Sequence, residues 1–164
     1  MPQMETISEL QDYRYRGARV MILLHDLYLR EFVAVWRTAR DAGLPLPATD
    51  DPSYQSYDAL LIHLLRASRM YINWICAQLQ LPDPGIGSFP ARGAGDDEIE
   101  QYLEHLLKRW REPLRDVAPE QFDLVFKARW DVEYCIDAML EHAVMHAIRH
   151  TFQLRELLAA AGRT

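Results

Sequence analysis

Three of the six histidines in this chain, His142, His146 and His150, are spaced four residues apart. At about 100° per residue, such a spacing places all three on one face of a helix. Two imidazoles at positions i and i+4 can bind one divalent metal ion, whereas a single histidine on an apolar face is more often a hydrogen-bonded core residue. The spacing alone leaves two equivalent pairs, His142 with His146 and His146 with His150.

A fourth histidine, His63, lies on an apolar stripe that includes Leu60 and Ala67. This stripe predicts a second helix that also directs an imidazole inward. With a rise of about 1.5 Å per residue, His63 lies roughly 10 Å from the start of its helix, and the His146–His150 pair lies roughly 15–20 Å from the end of the other. If the two helices are antiparallel, these imidazoles reach a similar depth. Three neutral imidazoles form an open, catalytic type of metal site.

The elements that must position these side chains are separated by clusters of proline and glycine, which interrupt helices. Between the clusters, the chain has four segments in which apolar residues recur about every 3.6 residues, the period of an α-helix. These segments are residues 6–42, 53–81, 96–112 and 120–161. We therefore predict an all-α fold, a four-helix bundle, formed by one domain that covers residues 1–164.

The ends of the predicted helices carry recognisable residues. Asp96 and Asp97 open the third helix, Asp131 is the predicted N-cap of the fourth, and Gly162 is its predicted stop. Residues 123–130 alternate in polarity, which hints at one extended segment.

Composition excludes several classes of function. There are 18 Lys and Arg residues against 24 Asp and Glu, a net charge of −6, so nucleic-acid binding is not expected. No apolar run is long enough to span a bilayer, and the N-terminus lacks the pattern of a secretory signal. Two cysteines cannot form a disulfide framework. We expect a cytoplasmic protein that acts on a small molecule.

The order and spacing of the histidines resemble those of the DinB-like (DinB/YfiT) family of small metal-dependent four-helix bundles. In that family, one ligand comes from the second helix and two from a run His-x-x-His-His-Arg-Gly-Gln in the fourth. Residues 140–154 match this run in frame and residues 57–64 resemble the second-helix segment. The resemblance implies that His63, His146 and His150 are the metal ligands. Gln153 falls on the glutamine that closes the run.

The family includes transferases and isomerases that use low-molecular-weight thiols. The resemblance therefore implies a thiol S-transferase or a hydrolase with zinc or nickel as the metal, and a small thiol as a candidate cofactor. A divalent ion can lower the pKa of bound water to about 7 or bind a thiol as thiolate. His142 is the candidate catalytic residue, and Arg149 and Gln153 are candidates for contacts with the substrate or thiol.

The alternative is a non-catalytic helical bundle that acts as an interaction or binding module, in which the histidines are structural or the metal is structural or vestigial. Phe152, where the family often has glycine, favours this alternative because it would add bulk beside the site. His25, on the first helix, is a candidate for lining the cavity, with a role in the core as its alternative.

Three apolar residues of the fourth helix, Met145, Ile148 and Phe152, are turned away from the histidine face. An apolar patch of this kind is typical of an interaction surface, and we expect it to form a homodimer interface with twofold symmetry. Alternatively, residues 126–130 or the N-terminus cover the patch.

Overall fold

The computed structural model describes residues 12–89 and 92–163. Within these ranges it contains four long α-helices: α1 (Arg16–Asp41), α2 (Tyr57–Gln78), α3 (Asp96–Trp110) and α4 (Ile136–Ala160). Two short strands, β1 (Val125–Lys127) and β2 (Glu133–Cys135), form an antiparallel hairpin. Short 3-10 helices occupy Pro52–Tyr54 and Pro119–Asp123. The prediction of a mainly helical protein with four helices is confirmed. A search of the described residues finds no helix with the length and apolarity needed to cross a membrane.

Local sequence explains where three of the helix ends lie. The Ser56 hydroxyl caps α2 by accepting a hydrogen bond from the backbone N–H of Ala59 at 3.0 Å. At the start of α3, the Glu98 carboxylate accepts the N–H of Gly95 at 2.9 Å. Gly162 adopts a left-handed φ of 69° after α4, as the predicted stop requires.

Helix α1 runs parallel to α4 and antiparallel to α3. The Tyr15 hydroxyl, before α1, donates to Asp137 near the start of α4 at 2.9 Å. Further along both helices, Arg155 donates to Glu31. Towards the end of α1, Arg37 donates to Glu100 in the first half of α3 at 3.0 Å.

Helix α2 runs antiparallel to α4. His63, early in α2, contacts His146 and His150, while Tyr71, two turns later, contacts His142. The direction pattern of the four helices is therefore up, down, down, up, and α2 and α3 are parallel. Because α2 and α3 point the same way, residues 79–95 must connect opposite ends of the bundle.

The core consists of large apolar side chains from all four helices and from the segment before the hairpin. Its largest fully buried members include Trp36, Trp110, Phe32, Phe122, Ile22 and Leu60. At roughly 25 cal/mol per Å² of apolar surface, this burial is the main stabilising contribution and needs no metal ion. It holds the histidine-bearing faces of α2 and α4 against each other.

The predicted start of the fourth helix is wrong. Helix α4 begins at Ile136, not after Asp131, because residues 133–135 pair with the strand at 125–127 and Phe126 lies opposite Tyr134. Asp131 lies in the hairpin turn with φ of 66°. Cys135 caps α4, since its Sγ accepts the N–H of Ala138 at 3.4 Å. The extended segment expected within residues 123–130 is present as β1.

Candidate metal centre

Three imidazoles from two helices converge inside the bundle, as the sequence predicts. His63 Nε2 lies 3.0 Å from His146 Nε2, and His150 Nε2 lies 3.1 Å from His146 Nε2. One ligand atom from each residue falls within 4.8 Å of the other two. His146 and His150 are buried and His63 is half-buried. Since His142 lies outside this group, the structure selects His146 and His150 over the alternative pair.

The geometry of the three nitrogens suits a divalent ion. With metal–nitrogen bonds of 2.0–2.1 Å, ligand atoms of a tetrahedral zinc lie about 3.3 Å apart, close to the two short distances here. Three lone pairs directed at one point at this separation repel one another unless a cation or a shared proton lies between them. The donor set of three imidazoles favours zinc, nickel, copper or iron over magnesium or calcium.

A hydrogen-bond relay fixes the orientation of His150. The Tyr54 hydroxyl donates its single proton to Gln153 Oε1 and lies 2.8 Å from His150 Nδ1. With that proton donated to Gln153, the tautomer of His150 that satisfies the contact carries its proton on Nδ1 and donates it to the Tyr54 oxygen. The neutral ring then has an unprotonated Nε2, which is the atom directed at the other two histidines. This arrangement is the form in which an imidazole binds a metal.

His146 has an equivalent partner on α2. The Tyr71 hydroxyl lies 3.0 Å from His146 Nδ1, and Tyr71 is buried. The hydroxyl therefore orients the ring and leaves Nε2 directed at His63 and His150. Two buried tyrosines thus support two of the three candidate ligands, as second-sphere partners do in metal sites.

The protein environment keeps these imidazoles neutral at pH 7. Burial, followed by the positive charge of neighbouring histidines, lowers the pKa of His146 to about 3. Burial and then Arg149 lower the pKa of His150 to about 4. Burial also lowers the pKa of His63. Neutral imidazole is the metal-binding form, so the site is ready to bind an ion at neutral pH.

The cluster opens into a pocket of about 410 Å³ between α2, α4 and the hairpin. The pocket is lined by Asp51, His63, Arg66, Ala67, Met70, Tyr71, Trp130, His142, His146 and Arg149. Trp130, at the tip of the hairpin, stacks on His142 with ring centroids 5.8 Å apart. The rings of Tyr71, Trp130 and His142 therefore form part of the pocket wall beside the histidine cluster.

The three other predicted site residues lie around the cluster. His142 lines the pocket one turn from His146, with ring centroids 6.2 Å apart, and burial lowers its pKa. Arg149 is exposed and lines the same pocket. Gln153 lies behind His150, where it accepts the Tyr54 hydrogen bond, and it does not line this pocket.

The structure adds residues that the sequence analysis did not single out for the site. Tyr54, Asp51 and Trp130 come from the 3-10 segment and the hairpin, which carry no helical periodicity that points at the histidines. Tyr71 lies eight residues after His63 and shares its helix face. That spacing was the available indication that Tyr71 belongs to the site.

Two other expectations are resolved by burial. His25 is a buried core residue. Its Nε2 lies 2.9 Å from the Ser68 hydroxyl, and its ring stacks on Trp110 with ring centroids 3.9 Å apart. Phe152 is 62% exposed and does not line the pocket, so the expected bulk beside the site is wrong. The side chain points away because α4 places it on the face opposite the histidines.

Comparisons of the chain with protein-family models, curated protein sequences and solved structures find no match.

Proposed function

We propose that this protein is a metal-dependent enzyme of the DinB-like type that acts on a small molecule, as a thiol S-transferase or a hydrolase. The observation that carries this proposal is the convergence of three imidazoles, from His63, His146 and His150, beside an open pocket that His63 and His146 line. A purely structural metal site would instead be closed by a fourth protein ligand. Zinc or nickel is the proposed ion.

A divalent ion at this position supplies Lewis acidity, which lowers the pKa of a bound water or thiol. The protein's own side chains would perform the remaining tasks. His142 would accept a proton from the nucleophile, because its neutral ring lines the same pocket. Trp130 and Tyr71 would enclose the substrate and exclude water, and Arg149 would attract an anionic substrate group.

The first test is metal content. Protein prepared without nickel chromatography should contain one divalent ion per chain. His63→Ala and His150→Ala should each lose most of it while keeping the helical circular dichroism of the wild type. The matched control is His105→Ala, a change on α3 outside the cluster, which should leave metal content unaltered. Full metal content in His63→Ala would contradict the assignment.

The second test separates the two reactions. Metal-loaded protein would be assayed with 1-chloro-2,4-dinitrobenzene and a panel of small thiols, and with 4-nitrophenyl acetate and no thiol. We expect His142→Gln to retain the metal and to lose about 10²–10⁴-fold in rate, the usual contribution of a general base. No metal-dependent turnover in either assay, together with no thiol binding to the metal-loaded protein, would favour the non-catalytic alternative.

A further inference from the structure

A second pocket, of about 680 Å³, lies between α2 and the hairpin next to the metal centre. Its lining residues are Arg66, Arg69, Met70, Asn73, Trp74, Ala77, Gln78, Lys127, Ala128 and Arg129. Four of these residues carry a positive charge and none carries a negative charge. In a chain with a net charge of −6, such a concentration of cations is a local property of this surface.

The cations of this pocket retain donors for a ligand. Within the described ranges, the side chains of Arg66 and Arg129 make no hydrogen bond or ion pair. Arg69 uses its Nε to donate to the carbonyl of Ile86 at 2.8 Å, which fixes the side chain and leaves its terminal nitrogens available. Lys127 pairs with the exposed Asp131 at 2.5 Å. A planar guanidinium is well suited to bind a carboxylate or phosphate group.

The two pockets adjoin because Arg66 and Met70 line both of them. The second pocket continues along α2 away from the metal centre, past Arg69 to Asn73 and Gln78. From His63 to Arg69 the helix rises about 9 Å. Met70 and Trp74 supply apolar surface along this path. The combined cavity therefore has imidazoles at one end and guanidinium groups along its extension, where Met70 and Trp74 add apolar wall.

We propose that the second pocket binds the anionic end of the substrate or thiol, so that the natural ligand is an amphipathic molecule. It would carry a carboxylate or phosphate about 10 Å from its reacting atom, a separation set by the rise of α2. Arg66 and Arg129 contact the anion, and Arg69 orients it. This inference rests on the proposed function, since it assumes that the other end of the ligand reaches the three histidines.

The probes are 8-mercaptooctanoate and 8-mercapto-1-octanol, which share a thiol and a chain and differ in one charged group. The extended acid spans about 10 Å, close to the rise from His63 to Arg69. Binding would be measured by titration calorimetry at low ionic strength, on metal-loaded and on chelated protein. We expect the wild type to prefer the acid about tenfold, since each exposed ion pair contributes up to roughly fivefold. Screening by added salt should reduce this preference.

Variants identify the responsible residues. In the double variant Arg66→Gln with Arg129→Gln, the acid should lose affinity until the preference is about one, while the alcohol should lose much less affinity than the acid. The control is Arg109→Gln, which removes a cation from the exposed side of α3 outside both pockets and should keep the preference. Equal binding of acid and alcohol by the wild type would overturn the proposal. An equal loss of preference in Arg109→Gln would also overturn it, because the preference for the acid would then depend on the net charge of the protein and not on the pocket.

Two further measurements identify which anionic group is preferred and test this proposal independently of the proposed function. Octanoate and octyl phosphate would compete with the acid, and the tighter competitor identifies the preferred group; displacement by neither would overturn the proposal. If the acid is preferred but neither thiol binds more tightly with metal present, the proposed function fails and the anion site stands. If metal strengthens both thiols equally and the acid is not preferred, only the anion site fails.

Discussion

The hydrogen bond between Tyr71 and His146 gives a direct test of the candidate metal centre. We expect Tyr71→Phe to weaken metal binding because it removes the hydroxyl that lies 3.0 Å from His146 Nδ1. Phenylalanine keeps the ring and its packing, so the substitution removes one oxygen and little else. His146 then loses the group that fixes its ring orientation, and its buried Nδ1 has no hydrogen-bond partner.

The magnitude follows from two independent estimates. Leaving a buried polar group without a partner costs roughly 1–3 kcal/mol. Loss of a second-sphere partner typically lowers metal affinity 10–100-fold, which corresponds to about 1.4–2.7 kcal/mol. Because the two ranges agree, we expect the dissociation constant for zinc to rise by one to two orders of magnitude in Tyr71→Phe. Tyr54→Phe, which acts on His150 in the same way, should have an effect of similar size.

The assay is competition for zinc against a chromophoric chelator, combined with denaturation of the metal-free protein. Tyr102→Phe is the matched control, because it also removes a buried hydroxyl, the one that donates to the Gly87 carbonyl at 3.0 Å. The control should lower the free energy of unfolding and leave zinc affinity unchanged. Wild-type zinc affinity in Tyr71→Phe, or an equal loss in Tyr102→Phe, would refute the argument.

Three further predictions concern stability and assembly. Chelation should lower the melting temperature without loss of helical circular dichroism at 25 °C, since the apolar core exists without metal; unfolding on chelation would contradict this. Burial lowers the pKa of His25 to about 3, against about 6.5 in the unfolded chain. The contribution of neutral His25 to the free energy of unfolding is therefore fully present above pH 6.5. It falls at lower pH because the unfolded state binds a proton that the folded state does not bind. Between pH 7 and pH 5, His25 alone should lower the free energy of unfolding by about 2 kcal/mol, as measured by urea denaturation. The variant His25→Gln should lack that part of the pH dependence. Finally, Met145 and Phe152 are exposed and we expect them to form a homodimer interface, so Ile148→Asp with Phe152→Asp should give a monomer by sedimentation. A wild type that is monomeric at tens of micromolar would exclude this interface.

The cluster of His63, His146 and His150 could be predicted from sequence because the information that positions these residues is local. The spacing of His146 and His150 fixes their common face on any helix, and the apolar neighbours of His63 fix its inward direction. The start of α3 was also predictable, since Asp96, Asp97 and the preceding glycine act within a single turn. The choice of His150 over His142 needed the family resemblance, because spacing treats the two alike.

The features that the sequence analysis missed depend on distant partners. Helix α4 starts late because residues 133–135 find a strand partner at 125–127, and this pairing outweighs the helical period that continues through them. Tyr54 reaches His150 across 96 positions in the chain, from a 3-10 turn whose place only the packed bundle defines. The direction of α2 relative to α3 likewise depends on how the connection at residues 79–95 crosses the bundle.

The parallel packing of α1 against α4 has a consequence for how the protein is made. During synthesis, α1 emerges first and its main packing partner emerges last, after residues 42–135 have been translated. At about 5–20 residues per second, that interval is roughly 5–20 s. For this time the apolar face of α1 lacks the helix α4 that packs against it in the folded protein. A nascent chain of this topology therefore exposes that apolar face until α4 has left the exit tunnel, and only then is the cluster of His63, His146 and His150 complete.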